Sequence, residues 1–204
     1  MVEFIVRGGP VMIPLVFLSV LAVAVMLERF WFLYRSKADT EELMEDVKLS
    51  LGQGKVLEAM QMTKKSRGPV ASVLSAGIAY YDRDKDEIKE RMHEIGREEI
   101  HRMERRMTVL DTIVTISPLL GLLGTVTGII KSFNVMAALD GIDAPAALSV
   151  GIAEALITTA TGLLIAIPTM AVYAYLNSII DRNTADMTRR ANELLAVLES
   201  RGEY

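Results

Sequence analysis

The chain has 204 residues, of which 51% are hydrophobic and 24% are charged, and its formal net charge is −4. Such a mixture requires apolar and charged residues to be segregated along the chain, as they are in a membrane protein. The absence of cysteine excludes disulfides and cysteine-based metal or nucleophile sites. No basic tract indicates nucleic acid binding. His93 and His101 lie among charged residues, which is more typical of solvated side chains than of metal ligands.

Three apolar stretches divide the sequence. Residues 10–27 and 112–130 carry no charge, and residues 144–180 carry one, Glu154. Each stretch has about 18 residues or more, enough for a helix to cross roughly 30 Å of hydrocarbon. Core helices of a soluble protein usually keep a continuous polar stripe, which these stretches lack. We therefore predict an all-α membrane protein with transmembrane helices over residues 10–34, 109–131 and 146–180.

The first span also has a feature of a cleaved signal peptide, because Ala22-Val23-Ala24 resembles a cleavage site. However, the residues before it include both Glu3 and Arg7, and apolar character continues beyond the site. Aromatic residues flanked by arginines between Glu28 and Arg35 are typical of a membrane interface. We expect a retained span.

Lysine and arginine are distributed unequally between the two sides of the predicted spans. The cytoplasmic side of a membrane protein is normally the richer one. Arg7 precedes the first span, and Lys131 lies at the edge of the connection over residues 132–145. The remaining span ends carry many more basic residues, among them Arg35, Lys37, Arg97, Arg102, Arg105, Arg106, Arg182, Arg189 and Arg190. We predict that residues 1–9 and 132–145 are periplasmic, and that residues 35–108 and the C-terminal helix over 181–204 are cytoplasmic in a bacterial inner membrane.

The segment over residues 35–108 has helical patterns separated by turn signals. Apolar spacing predicts helices over residues 40–51, 55–65 and 70–81, and a charged helix from Asp84 onward. No stop signal separates this charged helix from the second span. The sequence therefore predicts second and third transmembrane helices that continue as long rods into a cytoplasmic helical bundle.

Small and hydroxyl residues form lines within the second and third spans. In the second span, Gly121, Gly124, Thr125 and Gly128 share one helix face; in the third, Gly151, Glu154, Thr158, Thr161 and Gly162 follow one stripe. Small residues allow close helix contact, which is the better explanation for the glycines, whereas Thr125 suits packing and pore lining equally. Thr159 lies roughly 140° around the helix from Glu154 and need not share its face.

Prolines at positions 14, 118 and 168 are expected to kink the three spans and expose carbonyl groups.

Glu154 is the residue that most strongly indicates function. A carboxyl at membrane depth costs a few kcal/mol on insertion scales and is normally retained for a purpose. No basic residue of the chain is obvious at its depth, so a partner helix is expected to supply what Glu154 lacks. Three spans cannot easily enclose an aqueous path, so the pattern predicts a homo-oligomer around a central pore. An enzyme lacks support, since even the glycine-rich run 121–124 has no Lys-Ser/Thr of a phosphate loop.

Two long motifs resemble the MotA/TolQ/ExbB proton-channel family. Residues 118–133, PLLGLLGTVTGIIKSF, are similar to the family's second-span motif, and residues 151–168, GIAEALITTATGLLIAIP, to its third-span motif, closest to ExbB and TolQ. The resemblance implies a pentamer around a dimer of single-span ExbD/TolR-type partners whose membrane aspartate takes up and releases ions. It implies pore-facing roles for Thr125 and Thr159 and a membrane glutamate at Glu154, with Thr158 and Thr161 as further hydroxyls on the pathway.

The resemblance leaves several alternatives open. Ion flow would energise a TonB-like protein in an ExbB-type system or support envelope integrity in a TolQ-type system. Two further hypotheses are a non-conducting scaffold and a MotA-type flagellar stator. The stator is disfavoured because it normally has four spans. H+ is favoured over Na+ as the transported ion, and no cofactor is expected. Asp111, where a neutral residue is expected, is either a hydrated interfacial acid or a cap on an ion exit.

Overall fold

The computed structural model describes residues 8–35, 39–138 and 144–202, which are helical apart from short turns. The described residues form seven helices: α1 (Met12–Arg35), α2 (Thr40–Gly52), α3 (Val56–Lys65), α4 (Pro69–Ala79), α5 (Lys85–Glu104), α6 (Met107–Ala138) and α7 (Ala144–Gly202). Among them, three contain a stretch long and apolar enough to cross a membrane, and these stretches lie in α1, α6 and α7.

The chain divides into two compact units, which are described separately. The apolar unit comprises Met1–Glu28 and Arg106–Ala174, and the polar unit comprises Arg29–Arg105 and Tyr175–Tyr204. The apolar unit therefore holds most of the three apolar stretches. The polar unit holds the four shorter helices and the last part of α7.

The four helices predicted before the second span are confirmed, and local signals explain their bounds. Helix α2 begins after Asp39, whose carboxylate accepts hydrogen bonds from the backbone N–H groups of Glu41 and Glu42 at 3.1 and 3.2 Å. Helix α4 begins with Pro69 after Gly68, whose φ of +114° is accessible to glycine and strained for other residues. Proline suits the first helical position because the N–H that it lacks would have no helical partner.

The polar unit is held together by an apolar core in which α4 has a central place. Its Gly77 allows close approach, since a Cβ there would lie 2.6 Å from Met92 Sδ on α5 and 2.8 Å from Leu194 Cδ2 on α7. The core contains fully or almost fully buried residues from α2, α4, α5 and α7, namely Met44, Val47, Leu51, Leu74, Ile78, Met103, Leu176 and Leu194. The apolar spacing in this segment thus marks buried faces.

The prediction that the second span continues toward residue 84 as one rod is wrong. Helix α5 ends at Glu104 and α6 begins at Met107. Between them, Arg105 has a ψ of 130° and Arg106 has a φ of +68°, a left-handed conformation that is uncommon for a residue with a Cβ. Arg106 also bonds to Glu28 of α1, with 3.1 Å between guanidinium and carboxylate. Neither glycine nor proline marks this break in the sequence.

The prediction for the third span is confirmed, because α7 is one unbroken helix of 59 residues. In the apolar unit its buried residues recur every three or four positions, as expected for a single contact face. They are Gly151, Ala155, Thr158, Gly162, Ile165 with its neighbour Ala166, and Thr169.

Helices α1, α6 and α7 pack together in the apolar unit. Their shared cluster consists of Met12, Leu15, Ala22, Ile113 and Ile165. Most of the remaining apolar surface is open in the single chain; exposed large side chains include Ile13, Phe17, Leu119, Leu122, Leu156, Leu164 and Ile167. Apolar surface of this extent requires lipid or other subunits as its environment.

The prolines and connections add detail to the predicted spans. Pro14 is the third residue of α1, in a turn where N–H groups lack helical partners, so no kink is required there. Pro118 and Pro168 lie inside helices that continue past them. The connection predicted over 132–145 is partly helical, since α6 extends to Ala138. Residues 139–143, and the predicted N-terminal segment with Glu3 and Arg7, lie outside the described residues.

A charge cluster in the polar unit joins α2 to α7. Glu193 accepts a hydrogen bond from Lys48 Nζ at 2.9 Å and from the Arg190 guanidinium at 3.1 Å. Lys48 chiefly, and then Arg190, lowers the pKa of Glu193 below its ordinary value of 4.5. The ionised carboxylate is therefore favoured in the folded chain. Its stabilising contribution is complete above the ordinary pKa and is lost as the pH falls through the lowered one.

We predict that Glu193→Gln destabilises the full chain in detergent at pH 7. Three-quarters of this side chain is buried, so a loss of about 1 kcal/mol, or about 2–4 °C in Tm, is expected. The measurement is thermal unfolding followed by circular dichroism at a series of pH values. Because the wild type loses its advantage on protonation, the two curves should converge as the pH falls below 4.5 and through the lowered pKa of Glu193. Glu58→Gln, an exposed acid, is the control, and a difference that grows on acidification would contradict this account.

Candidate functional site in the apolar unit

Helices α6 and α7 approach each other across glycines rather than side chains. A Cβ at Gly162 would lie 2.5 Å from Ser117 O and 3.2 Å from Gly121 Cα, and one at Gly121 would lie 3.0 Å from Thr158 O. Similar crowding surrounds Gly124, Gly128 and Gly151, which face Thr158, Ala155 and Ser132. All five glycines singled out in the sequence thus lie in the α6–α7 contact. Side chains larger than hydrogen would push the two backbones apart.

This close approach brings two threonines together at one carbonyl group. Thr159 Oγ1 on α7 donates to Gly121 O on α6 at 3.0 Å. In an α-helix the same oxygen accepts the N–H of the residue four positions on, which is Thr125. The Thr125 hydroxyl donates to Leu122 O at 2.6 Å. Thr125 and Thr159 are both half-buried, so their hydroxyls remain accessible from one side of the α6–α7 pair.

The other two threonines of the third-span stripe have different surroundings. Thr158 is buried, bonds to Ala155 O at 2.8 Å and lies against Gly124. Thr161 is half-buried and bonds to Ile157 O at 2.7 Å. Hydroxyls that bond back to their own helix satisfy themselves without a partner helix. In this chain Thr158 is a packing residue, and its expected place on an ion pathway stays a prediction, as does that of Thr161.

Glu154 has a basic partner within the chain. Its Oε2 lies 3.0 Å from Lys131 Nζ at the end of α6 away from Arg106. The Glu154 side chain is 14% exposed, and that of Lys131 is 64% exposed. The expectation that Glu154 depends on another chain for its counter-charge is therefore wrong. Lysine has a long apolar stem, which lets its ammonium reach a carboxyl from a position near the membrane surface.

The turn that precedes α1 closes the other side of Glu154. Gly9 has a φ of +71°, and a Cβ there would coincide with Glu154 Oε1 and lie 3.0 Å from Glu154 Cδ. The turn is fixed by a 3.1 Å bond from Met12 N to Gly9 O. Glu154 is consequently enclosed by the turn before α1 and by Lys131 of α6, at a point where three segments of the apolar unit meet.

Glu154 lies on the opposite side of the α6–α7 contact from Thr125 and Thr159. On α7 the contact centres on Gly151, Ala155 and Gly162, with Glu154 to one side and Thr159 to the other at 100° per residue. On α6, Lys131 lies on the Glu154 side, whereas Thr125 lies on the Thr159 side. The polar residues of the spans thus form two separate groups.

The family model described as "MotA/TolQ/ExbB proton channel family" matches residues 65–189 of the chain. The chain belongs to this family. It is an all-helical, multi-pass membrane protein of a channel family, so its polar residues inside the spans are candidates for ion transfer rather than for catalysis.

The relatives are named chiefly as ExbB proteins. The chain is 36% identical over 181 residues to "Putative biopolymer transport protein ExbB-like 1" of Synechocystis, covering 87% of this chain and 70% of the relative. It is 32% identical over 201 residues to "Biopolymer transport protein exbB1" of Vibrio cholerae, covering 91% and 83%. A TolQ protein of Haemophilus influenzae is 38% identical over 102 residues, which cover 49% of this chain and 43% of the relative.

Three residues of the site were not singled out by the sequence. Lys131 and Gly9 surround Glu154, and the fully buried Ser117 hydroxyl has no hydrogen-bond partner in the described part of the chain. Lys131 could have been found from the antiparallel order of α6 and α7. Residues at equal distances from the connection lie at similar depth, and Lys131 and Glu154 are placed in this way. Gly9 carries no signal, since its role depends on tertiary contact.

We predict that Gly162→Ala destabilises this protein far more than Gly52→Ala does. The added Cβ meets backbone atoms of Ser117 and Gly121, which cannot rotate away. Overpacking of this kind typically costs about 1–3 kcal/mol, so a fall in Tm of about 3–10 °C is expected. Fluorescence-detected gel filtration of heated, detergent-solubilised protein provides the measurement. Gly52→Ala, with nothing within 4 Å of the added Cβ, is the control. Equal tolerance of both changes would refute the packing role.

Proposed function

We propose that the chain is the ring-forming subunit of an ion-driven motor in a bacterial inner membrane. In this proposal it is a homopentamer around a central pore, which holds an ExbD/TolR-type single-span partner with a membrane aspartate. The work done is biopolymer transport through a TonB-like protein. The observation that carries the proposal is the hydrogen bond from the Thr159 hydroxyl to Gly121 O, one turn before the half-buried Thr125, in a chain of a proton-channel family.

A stripe on α6 supplies one wall of the proposed pathway. Asp111, Thr115, Leu122, Thr125 and Ile129 recur at intervals that keep them on one helix face. All five are exposed or half-buried in the single chain. The stripe begins with an acid and a hydroxyl at the Arg106 end of α6 and becomes apolar beyond Thr125. Asp111 then suits a hydrated ion exit at the cytoplasmic end of the pathway.

A stripe on α7 supplies the adjoining part of the same wall. It consists of Ile152, Leu156, Thr159, Leu163 and Met170, of which Thr159 alone is polar. The two stripes therefore combine a smooth apolar surface with a narrow belt of two hydroxyls. Such a surface holds an inner helix without fixing it by strong hydrogen bonds or ion pairs, so the helix can turn.

The hydroxyl belt gives the partner's aspartate a place to exchange its ion. An aspartate facing hydrocarbon is favoured in its neutral form because burial penalises charge. Next to Thr125 and Thr159, hydroxyls that turn away from their backbone carbonyls donate to the carboxylate and stabilise it long enough for release toward the Asp111 end. One elementary charge that crosses a potential of 100 mV releases about 2.3 kcal/mol. Repeated release at successive subunits of a ring would convert this energy into rotation.

The proposed orientation places the polar unit in the cytoplasm and the N-terminus in the periplasm. Within the polar unit, Phe30 stacks with Tyr34 and Tyr175 at centroid distances of 6.3 and 6.5 Å, and the Arg35 guanidinium lies 5.2 Å from the Trp31 ring. Aromatic rings with arginine are typical of a membrane–water interface. The abundance of arginine in the polar unit supports a cytoplasmic location for that unit.

The ExbB-type assignment rests on the relatives that cover most of the chain, whereas the TolQ relative covers about half of it. Envelope integrity through a TolQ-type system is the second candidate. H+ is the proposed ion, because two hydroxyls and one carboxylate are fewer oxygen ligands than Na+ normally requires. Flux in sodium-free and sodium-containing buffers separates the two ions.

We predict that Thr125→Val and Thr159→Val each reduce ion flux through the assembled complex by about tenfold, the lower end of the range for a lost charge-stabilising hydrogen bond. The complex is purified with its single-span partner, reconstituted in liposomes and driven by an imposed potential, with an internal pH-sensitive dye as the readout. Valine preserves side-chain shape and removes the hydroxyl. Thr125→Ser and Thr159→Ser should retain most of the flux.

Thr127→Val is the matched control, because Thr127 is two residues from Thr125, points to another face of α6 and bonds to Leu123 O of its own helix. Unchanged flux in both Thr125→Val and Thr159→Val, with assembly intact, would show that these two hydroxyls are not part of the ion pathway. An intact complex that conducts neither H+ nor Na+ in the wild type would instead support the scaffold.

A further inference from the structure

We propose that Lys131 and Glu154 form a structural ion pair that pins α6, α7 and the turn before α1 together, and that Glu154 takes no part in ion transfer. Lys131 and Gly9 thereby become positioning residues of the channel. The first half of this inference stands on the geometry of the apolar unit. The second half rests on the proposed channel function.

The first argument is the completeness of the Glu154 site. One carboxylate oxygen, Oε2, lies 3.0 Å from Lys131 Nζ, and the other occupies the space beside Gly9 that a Cβ would fill. With 14% of its side chain exposed, Glu154 has little surface left for a moving ion or a partner helix. A paired carboxylate in a membrane is far less costly than a lone one, so the partner Lys131 accounts for a charge at this position.

The second argument is position. Thr125 and Thr159 lie on the opposite side of the α6–α7 contact, separated from Glu154 by glycines whose backbones touch. An ion that moves along the threonine side therefore does not pass the carboxyl. The same contact explains why the pin is useful, since glycine interfaces gain little from side-chain interdigitation. A charge pair at one end reinforces the register that the glycine contact sets.

The third argument is that position 9, beside Glu154, requires a glycine. Its positive φ and the adjacent carboxylate both exclude a side chain at this position. The turn before α1 thus forms a wall behind Glu154 and keeps it directed toward Lys131. A glutamate that served as an ion carrier would need freedom to change partners, and this site provides none.

The test is a double-mutant cycle on the full complex, with Tm and ion flux measured for each variant. Lys131→Met leaves Glu154 unpaired and should lower Tm by about 5 °C or more and flux by about tenfold, because an unpaired buried charge is strongly destabilising. Lys131→Met combined with Glu154→Gln removes both charges. Flux should then return to within about twofold of wild type and Tm close to the wild-type value, since replacement of such an ion pair by neutral side chains is often tolerated.

The exchanged pair, Lys131→Glu with Glu154→Lys, is a stricter form of the same test. It should recover flux with the wild-type dependence on pH, a readout that general destabilisation does not imitate. Gly9→Ala should reproduce the loss of Tm seen with Lys131→Met, because it displaces the carboxylate while leaving both charges in place.

One outcome overturns the inference without touching the channel. If the doubly neutral complex keeps its Tm but conducts nothing, whereas wild type conducts and Thr127→Val is normal, then Glu154 carries the ion. Failure of the wild type itself to conduct would refute the proposed function instead. The Tm values of the double-mutant cycle would still decide whether the Lys131–Glu154 ion pair is structural.

Discussion

The contact between α6 and α7 is the constraint on which the apolar unit depends. At Gly121, Gly128 and Gly162 the two helices touch through backbone atoms, so their separation is fixed by main-chain geometry. In lipid there is no hydrophobic drive to bring helices together, and close packing has to supply the attraction. Two consequences follow from the short distance. A hydroxyl of one helix reaches a carbonyl of the other, and a lysine and a glutamate near the connection come within ion-pair distance.

These consequences separate two tasks that the sequence places within two turns of one helix. Along α7, Glu154, Thr158 and Thr161 follow one stripe, and Thr159 lies about 140° around the helix from Glu154. In three dimensions the contact face divides them: Thr158 is buried in it, Thr159 opens on one side, and Glu154 opens on the other. In the proposed motor, the strong charge fixes the helices and the weak dipoles face the inner helix that turns. Such a motor needs this division, because an ion pair facing the inner helix would bind it in one position.

Most of the fold follows from periodicity and turn chemistry. Charge-free stretches of sufficient length predict the three spans, and Asp39 or the Gly68-Pro69 pair marks where short helices begin. The break at Arg105–Arg106 could not be predicted in this way, since two arginines are acceptable helix formers and the left-handed φ of Arg106 is held by tertiary contacts such as the bond to Glu28. In the site, the glycine face could be predicted from spacing, and the family motifs single out Thr125 and Thr159 but not the hydrogen bond from Thr159 to Gly121 O. The surroundings of Glu154 could not, because Gly9 is about 145 residues away along the chain.

The partner of Glu154 shows what a sequence argument needs beyond local pattern. Depth in a membrane is a property of paired helices, and antiparallel helices place residues at equal depth when they are equally distant from the turn. Gly121 and Thr159, Gly124 and Thr158, and Lys131 and Glu154 are all centred close to position 141. The register that aligns the glycines is thus the same register that pairs the charges. A lysine one turn away along α6 would leave Glu154 without a counter-charge. At position 131 the lysine forms an ion pair with Glu154 in the register that the glycine contacts set.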